Sequence, residues 1–245
     1  DFEKDPIEAY IDGEWVTAKG TTLGADNGIG VAAAMAILAD KSVVHPPLEM
    51  LVTVDEETGM YGAFALEGGL LQGKILLNLD SESEGELYVG CAGGVDTTAK
   101  FAYTPVPVEE GDVAIKVSVT GCKGGHSGCD IHLQRANANK LLFRFLKDAV
   151  ANLEARLAYV EGGSLRNAIP REASAIITVP AEGVDEIMDL VAEYEDLFVT
   201  EYDGVEDNIH FTAAEVECPA TELPEDVQDF LIHAITACPH GVYRV

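Results

Sequence analysis

Several acidic residues stand directly after short apolar segments. The segments "LEMLVTV" (48–54) and "KILLNL" (74–79) have the composition of buried strands. In open α/β sheets, ligands bind where parallel strands end at their carboxyl side. Carboxylates that meet there repel one another unless a cation neutralises them, so the spacing predicts a metal site. The acids concerned are Glu56 and Glu57 after the first segment, Asp80 after the second, and Asp26, which follows the first turn.

The kind of metal stays open at this point. Carboxylates alone favour Mg²⁺, Ca²⁺ or Mn²⁺, whereas Zn²⁺ is usually held by imidazole as well. In metal-assisted hydrolysis one carboxylate holds the ion while another moves protons between water and the leaving amine. Glu56 and Glu57 could divide these two roles, because neighbouring residues point in different directions. The alternative is that they only begin the next helix, where the helix dipole favours negative charge.

Further candidates lie in "GCKGGHSGCD" (121–130) and "GGSLRNAIPRE" (162–172). His126 lies in a Gly-rich loop and could donate a hydrogen bond to a developing oxyanion, or could be an ordinary surface residue. Arg166, next to Asn167, could clamp a substrate carboxylate or pair with surface acids. The cysteines around His126 match no familiar closed zinc set.

Two architectures are predicted along the chain. Residues 1–95 begin with a hairpin that turns at Asp12-Gly13 and then alternate helix and strand, which is typical of an α/β domain with a largely parallel sheet. Residues 96–245 have the order β-α-β-β-α-β of a ferredoxin-like α+β domain. Its predicted strands are "VAIKVSVTG", "RLAYVEG" (156–162), "EASAIITVP" and "NIHFTAAEVE", and its predicted helices are "NANKLLFRFLKDAVANL", "VDEIMDLVAEYEDLF" and "PEDVQDFLIHAITAC".

The composition argues against several classes of partner. Fifteen Lys and Arg against 43 Asp and Glu give a formal net charge of −28, which repels nucleic acid and anionic membranes. No run of apolar residues is long enough for a transmembrane helix, and no secretory signal is recognisable. The five cysteines are odd in number and scattered. They argue against a disulfide framework and favour a cytoplasmic location.

Five segments, in this order, resemble the M20 zinc peptidases, and most closely their bacterial aminoacyl-histidine dipeptidases: "LGADNGIG", "DEETG", "NLDSE", "KGGHSG" and "GGSLRNAIPRE". The resemblance implies a partial catalytic domain over residues 1–95 and a ferredoxin-like lid domain over 96–245, which need not be complete. It implies hydrolysis of small peptides, preferentially Xaa-His dipeptides, with two zinc ions for which Mn²⁺ or Co²⁺ could substitute. A homodimer formed through the lid domain is also implied.

The same resemblance assigns roles to individual residues. It implies that Asp26 bridges the two zinc ions, that Glu57 and Asp80 are each a terminal ligand of one ion, and that Glu56 is the general base. His126 would steady the tetrahedral intermediate when the lid closes. Asn167 matches a substrate-binding residue of the lid, and Arg166 is a further substrate-binding candidate.

Two zinc-binding His residues of the family have no counterpart in the sequence, one of them in an H-x-D motif. We therefore expect the 245 residues to be a fragment of a longer enzyme that binds zinc weakly and hydrolyses little by itself. Two alternatives stay open. One is another M20 amidohydrolase, such as an aminoacylase or a tripeptidase. The other is a non-catalytic module for self-association.

Overall fold

The computed structural model describes residues 3–81 and 83–244. The chain forms two compact units, Asp1–Val95 and Asp96–Val245, which we call the first and the second unit. None of the helices in the described residues is long and apolar enough to cross a lipid bilayer.

The first unit begins with the predicted hairpin. Strands β1 (Ala9–Asp12) and β2 (Trp15–Ala18) pair antiparallel, with Asp12 opposite Trp15. Gly13 makes the turn with φ +62°, a conformation that glycine adopts without steric cost. Three helices follow: α1 (Gly28–Ala39) and the short α2 (Glu56–Gly59) and α3 (Tyr61–Phe64).

The largely parallel sheet predicted for the first unit is not confirmed. The segments 48–54 and 74–79 are not strands, and the only sheet in the described part of this unit is the antiparallel hairpin. Ile75, Leu76 and Leu77 are at least 76% exposed. A parallel strand needs hydrogen-bonded neighbours and a helix layer over its faces, and the described residues of the unit place neither on these segments.

The described residues of the second unit form eight strands and three α-helices. The strands are β3 (Val106–Pro107), β4 (Asp112–Thr120), β5 (Gly125–His126), β6 (Arg156–Gly162), β7 (Ala168–Ile169), β8 (Ala173–Pro180), β9 (His210–Val216) and β10 (Thr221–Glu222). The helices are α4 (Ala138–Asn152), α5 (Val184–Glu201) and α6 (Glu225–Ala237).

The ferredoxin-like topology predicted for the second unit is confirmed. Four strands form an antiparallel sheet in the order β6-β8-β4-β9, and along the chain they follow the order β4-α4-β6-β8-α5-β9. Two short antiparallel pairs, β3 with β10 and β5 with β7, form separate two-stranded sheets.

The core of the second unit lies between this sheet and its helices. Alternate residues of β4 are fully buried, as expected for a strand with one face on the core, and α4 buries an apolar stripe against the sheet. At the centre four aromatic rings, which we call the aromatic cluster, pack with centroids 5.0–5.8 Å apart and mostly edge-on. They are Phe145, Tyr194, Phe198 and Phe211.

Candidate functional site

The four predicted metal-binding or catalytic acids of the first unit share one electrostatic neighbourhood. The pKa of the Glu56 carboxyl is raised, first by its partial removal from water and then by the negative charges of Glu57, Asp80 and Asp26. A hydrogen bond with Glu57 acts in the same direction. Glu56 therefore lies within electrostatic range of Glu57, Asp80 and Asp26, of which the last two are 54 positions apart in the sequence.

Close packing at the start of α1 brings the segments that carry Asp26 and Asp80 into contact. The Asn27 side chain caps this helix by accepting a hydrogen bond from Gly30 N at 2.9 Å. Gly30 in turn lies against Leu79, and a Cβ on Gly30 would come within 2.9 Å of the Leu79 Cβ. The residue after Asp26 and the residue before Asp80 are therefore packed around the same glycine.

The turn that carries Glu56 and Glu57 has unusual backbone geometry. Asp55 and Met60, on either side of α2, adopt left-handed conformations with φ of 57° and 58°. Non-glycine residues adopt this conformation rarely, and such residues cluster at functional sites. The following helix α3 is held to this turn by a hydrogen bond of 3.1 Å from Gly62 N to Val54 O.

These acids suit a divalent cation in their chemistry, because a cation relieves the mutual repulsion of carboxylates. Their arrangement is incomplete as a metal site. In the described ranges 3–81 and 83–244, no group of three or more His, Cys, Asp or Glu side chains is placed to hold a metal ion. The four acids therefore form a cluster of negative charge, and not by themselves a closed coordination sphere.

In the second unit, His126 ends strand β5, and Asn167 directly precedes its partner strand β7. Strand β5 pairs antiparallel with β7, with His126 opposite Ala168. Ser127 N donates to Asn167 O at 2.8 Å, so that the pairing continues one residue further. Both His126 and Asn167 are exposed, which leaves their side chains accessible to a ligand.

The backbone around His126 determines which ring nitrogen carries the proton. Its Nδ1 atom accepts hydrogen bonds from Gly128 N at 3.0 Å and from Cys129 N at 3.1 Å. A backbone N–H is always a donor, so Nδ1 presents its lone pair and a neutral ring carries its proton on Nε2. No hydrogen bond of the described residues involves Nε2, which is therefore a free donor.

The arginines of "GGSLRNAIPRE" have different surroundings. Arg166 Nη1 lies 3.2 Å from Asp96 Oδ2, and both side chains are well exposed. This is the surface ion pair that the sequence left open as an alternative, although such a pair is weak and easily exchanged. Arg171 Nε donates to Cys122 O at 3.2 Å, which ties this segment to the start of the His126 loop, the residues 121–136.

Two acids near His126 were not singled out from the sequence. Asp130 contacts the His126 backbone, and the buried Glu206 accepts hydrogen bonds from Lys123 N and Ala136 N at the two ends of the His126 loop. Asp130 lies only four residues after His126, so its position could have suggested a role. Glu206 is 70 residues beyond the loop and gave no local signal.

Comparison with known proteins finds a family match within the second unit. Residues 117–206 match the M20 family model described as a peptidase dimerisation domain, and these residues include the end of β4 together with α4, β6, β8 and α5. The predicted resemblance to the M20 peptidases is confirmed by this match and by the relatives described next.

Two of the similar proteins are named dipeptidases. The chain is 50% identical over 244 residues to the cytosol non-specific dipeptidase of Escherichia coli K12, an alignment that covers 100% of this chain and 50% of the relative. The crystal structure of the aminoacylhistidine dipeptidase from Vibrio alginolyticus matches with a TM-score of 0.71 and 48% identity, again over 100% of this chain and 50% of the other. The uncharacterized protein YqjE of Bacillus subtilis is 31% identical over 121 residues, 46% of this chain and 33% of that protein. The chain therefore spans about half the length of the two dipeptidases.

Proposed function

We propose that this chain supplies the metal-binding carboxylates and the lid of a metal-dependent dipeptidase. The observation that carries the proposal is that Asp26, Glu56, Glu57 and Asp80 share one electrostatic neighbourhood in a chain that is 50% identical to a dipeptidase along its whole length. The first unit would be part of the catalytic domain, and the second unit would be the lid.

The proposed metal is a pair of zinc ions, with Mn²⁺ or Co²⁺ as substitutes. Asp26 would bridge the ions, and Glu57 and Asp80 would each be a ligand of one. When bound, the metal supplies a Lewis acid for the peptide carbonyl and makes water a stronger acid. Glu56 takes a proton from the attacking water and delivers it to the leaving amine.

The second unit contributes groups that bind the substrate. His126 donates its Nε2–H to the carbonyl oxygen, on which negative charge develops in the transition state. Asn167, which directly precedes the adjacent strand β7, positions the peptide. Arg166 takes the substrate carboxylate in exchange for Asp96, a change that costs little because the present ion pair is exposed to water.

A chimera tests the catalytic roles independently of the length of the chain. In it, this chain replaces the half of the Escherichia coli dipeptidase with which it aligns. We expect Glu56→Gln to lower kcat by about 10²- to 10⁴-fold with metal content unchanged. Glu57→Ala should lower the metal content, and the exposed Glu67→Gln is the matched control. Full activity in Glu56→Gln, or equal metal content in Glu57→Ala, would contradict these assignments.

The proposed substrates are dipeptides, preferably with a C-terminal His. The names of the two relatives differ on this point, since one is a non-specific dipeptidase and the other an aminoacylhistidine dipeptidase. The chimera should be assayed with β-alanyl-histidine, with dipeptides lacking His, and with N-acetyl amino acids. Equal rates on the first two would remove the preference for His, and cleavage of N-acetyl amino acids alone would indicate an aminoacylase.

The 245-residue chain should also be assayed by itself. We expect it to bind zinc weakly and to turn over dipeptides far more slowly than the chimera, because its described residues form no closed metal site. Titration calorimetry with zinc and a dipeptide assay measure both quantities. Turnover equal to that of the chimera would contradict this expectation.

We further propose that the second unit forms a homodimer. The description of the matching family as a dimerisation domain supports this, and so does the position of β9 at one edge of the four-stranded sheet. Sedimentation equilibrium should give about twice the chain mass of 26.1 kDa. A dimer that persists while the chimera hydrolyses nothing would favour the non-catalytic self-association module instead.

The proposed location is the cytoplasm. One relative is named a cytosol dipeptidase, and all five cysteines of this chain are free thiols. Fractionation of the source cells, followed by immunodetection, tests the location. Recovery of the protein outside the cytoplasmic fraction would contradict it.

A further inference from the structure

The His126 loop contains a reciprocal pair of hydrogen bonds around its histidine. Asp130 Oδ2 accepts a hydrogen bond from His126 N at 2.8 Å, and Asp130 N donates to His126 O at 2.8 Å. The two bonds close a turn of five residues. Within this turn lie Gly128 and Cys129, whose N–H groups bind the ring nitrogen Nδ1.

The carboxylate of Asp130 is itself held in place. Arg135 Nη1 lies 3.6 Å from Asp130 Oδ2 and donates to Gly124 O at 2.8 Å. Both side chains are largely shielded, with 26% and 32% of their surface exposed. Gly125 leaves room for the carboxylate, since a Cβ there would come within 2.7 Å of Asp130 Oδ2. The loop is therefore built around the Asp130 side chain.

The imidazole packs on a residue that has no side chain. A Cβ on Gly128 would lie 3.2 Å from His126 Cε1 and 3.3 Å from Nδ1. The orientation of the ring thus depends on the backbone of residues 126–130. Asp130 closes this turn through its two hydrogen bonds with the main chain of His126, and neither of them involves the ring.

We propose that Asp130 is the positioning residue of His126. By accepting the His126 N–H, its carboxylate holds the turn that directs two backbone N–H groups at Nδ1, and this leaves the ring proton on Nε2 as the free donor. The inference rests on the role proposed for His126. Its first test, however, measures the tautomer and does not depend on activity.

The tautomer is read from long-range ¹H–¹⁵N correlations of the full chain labelled on its histidines, with His126→Gln to assign the signal. We expect the wild type to show the proton on Nε2. Asp130→Ala should give a mixture of tautomers, whereas Asp130→Asn keeps an acceptor oxygen and should restore the Nε2–H form. The exposed Asp203→Asn is the control and should leave the spectrum unchanged.

Three results would overturn the proposal: a wild-type ring protonated on Nδ1, a pure Nε2–H form in a folded Asp130→Ala variant, or no rescue by Asn. If Asp130→Ala fails to fold, Arg135→Met provides the second variant, because it removes the group that holds the carboxylate. A shift in its tautomer population would support the proposal, and an unchanged population would overturn it.

The second test is kinetic and uses the chimera. Asp130→Ala should lower kcat by about 10- to 100-fold, as a small displacement of a catalytic group does, with KM within about twofold of the wild type. Loss of soluble protein without a change in kcat would indicate a purely structural role. An inactive wild-type chimera would refute the proposed function, while the tautomer measurements would still decide the role of Asp130.

Discussion

Replacement of Glu206 by Ala should destabilise the second unit and loosen the His126 loop. Glu206 is buried, and its two carboxylate oxygens have separate partners. Oε2 accepts from Lys123 N at 2.7 Å, and Oε1 accepts from Ala136 N at 2.9 Å. These two residues lie at the opposite ends of the His126 loop, so a single side chain fastens both.

The expected cost follows from the surroundings of the two N–H groups. Ala136 is fully buried, and its N–H would be left without an acceptor, at about 1–3 kcal/mol. Lys123 is exposed, so water can replace part of its bond and the loss is about 1 kcal/mol. Glu206→Ala should therefore lower the free energy of unfolding by about 2–4 kcal/mol. Glu206→Gln retains one acceptor oxygen and should lose about half as much.

Urea denaturation followed by circular dichroism at 222 nm measures this change. Fluorescence of the single tryptophan, Trp15, is unsuitable because this residue lies in the first unit. With a slope of about 2 kcal/mol per molar urea, the midpoint of the second unit should fall by about 1–2 M. Hydrogen exchange of the Ala136 amide should also become faster.

The matched control is Glu217→Ala, which removes an exposed Glu after β9 and should change stability by less than about 0.5 kcal/mol. The reasoning is refuted if Glu206→Ala has the midpoint of the control, or if the Ala136 amide keeps its protection. Equal destabilisation by Gln and Ala would show that the two oxygens do not act separately.

Three further predictions concern the core and the loop of the second unit. Phe145→Ala removes a fully buried ring from the aromatic cluster and should cost about 3–5 kcal/mol in the same urea assay, so an unchanged midpoint would contradict the described core. Burial raises the pKa of the Cys122 thiol from its ordinary value of 9.0 to about 12, so four thiols should react in the native chain at pH 8 and five in urea. Because the pKa of this thiol is higher in the folded chain than in the unfolded chain, its contribution to the free energy of unfolding is fully present below pH 9 and is lost as the pH rises towards 12. Urea midpoints measured over a series of pH values test this. Gly121→Ala should lower the free energy of unfolding by at least about 1–3 kcal/mol, because φ is +77° and a Cβ would collide with the Asn208 carbonyl oxygen. Its control is Gly183→Ala, which should be nearly neutral because a Cβ there meets nothing within 4 Å.

The local patterns of the sequence were sufficient for most of the second unit. Strand β6 spans the predicted residues 156–162, and α4 lies within one residue of its prediction at each end. These elements bury one face. Hydrophobic residues therefore recur along the sequence with a period of two residues in a strand and of 3.6 residues in a helix. The hairpin at Asp12-Gly13 was predictable for a similar reason, because its turn needs a positive φ.

The apolar runs of the first unit carried no such period. The segments 48–54 and 74–79 are continuously hydrophobic, and this pattern does not by itself specify which neighbours a strand will have. Strand formation depends on those neighbours, and in the described structure they are absent from both segments. The composition therefore predicted hydrophobic character but not the parallel sheet.

The candidate site shows the same division between local and distant information. Short motifs in the sequence suggested the four acids, His126 and Asn167 as candidates, because the chemistry of each depends on its residue type and its immediate neighbours. Only the tertiary structure showed that Gly30 packs the start of α1 against Leu79, and that Glu206 fastens the His126 loop from 70 residues away. Contacts of this kind join residues that are far apart in the chain and leave no periodic pattern, so they are decided by how the folded elements pack.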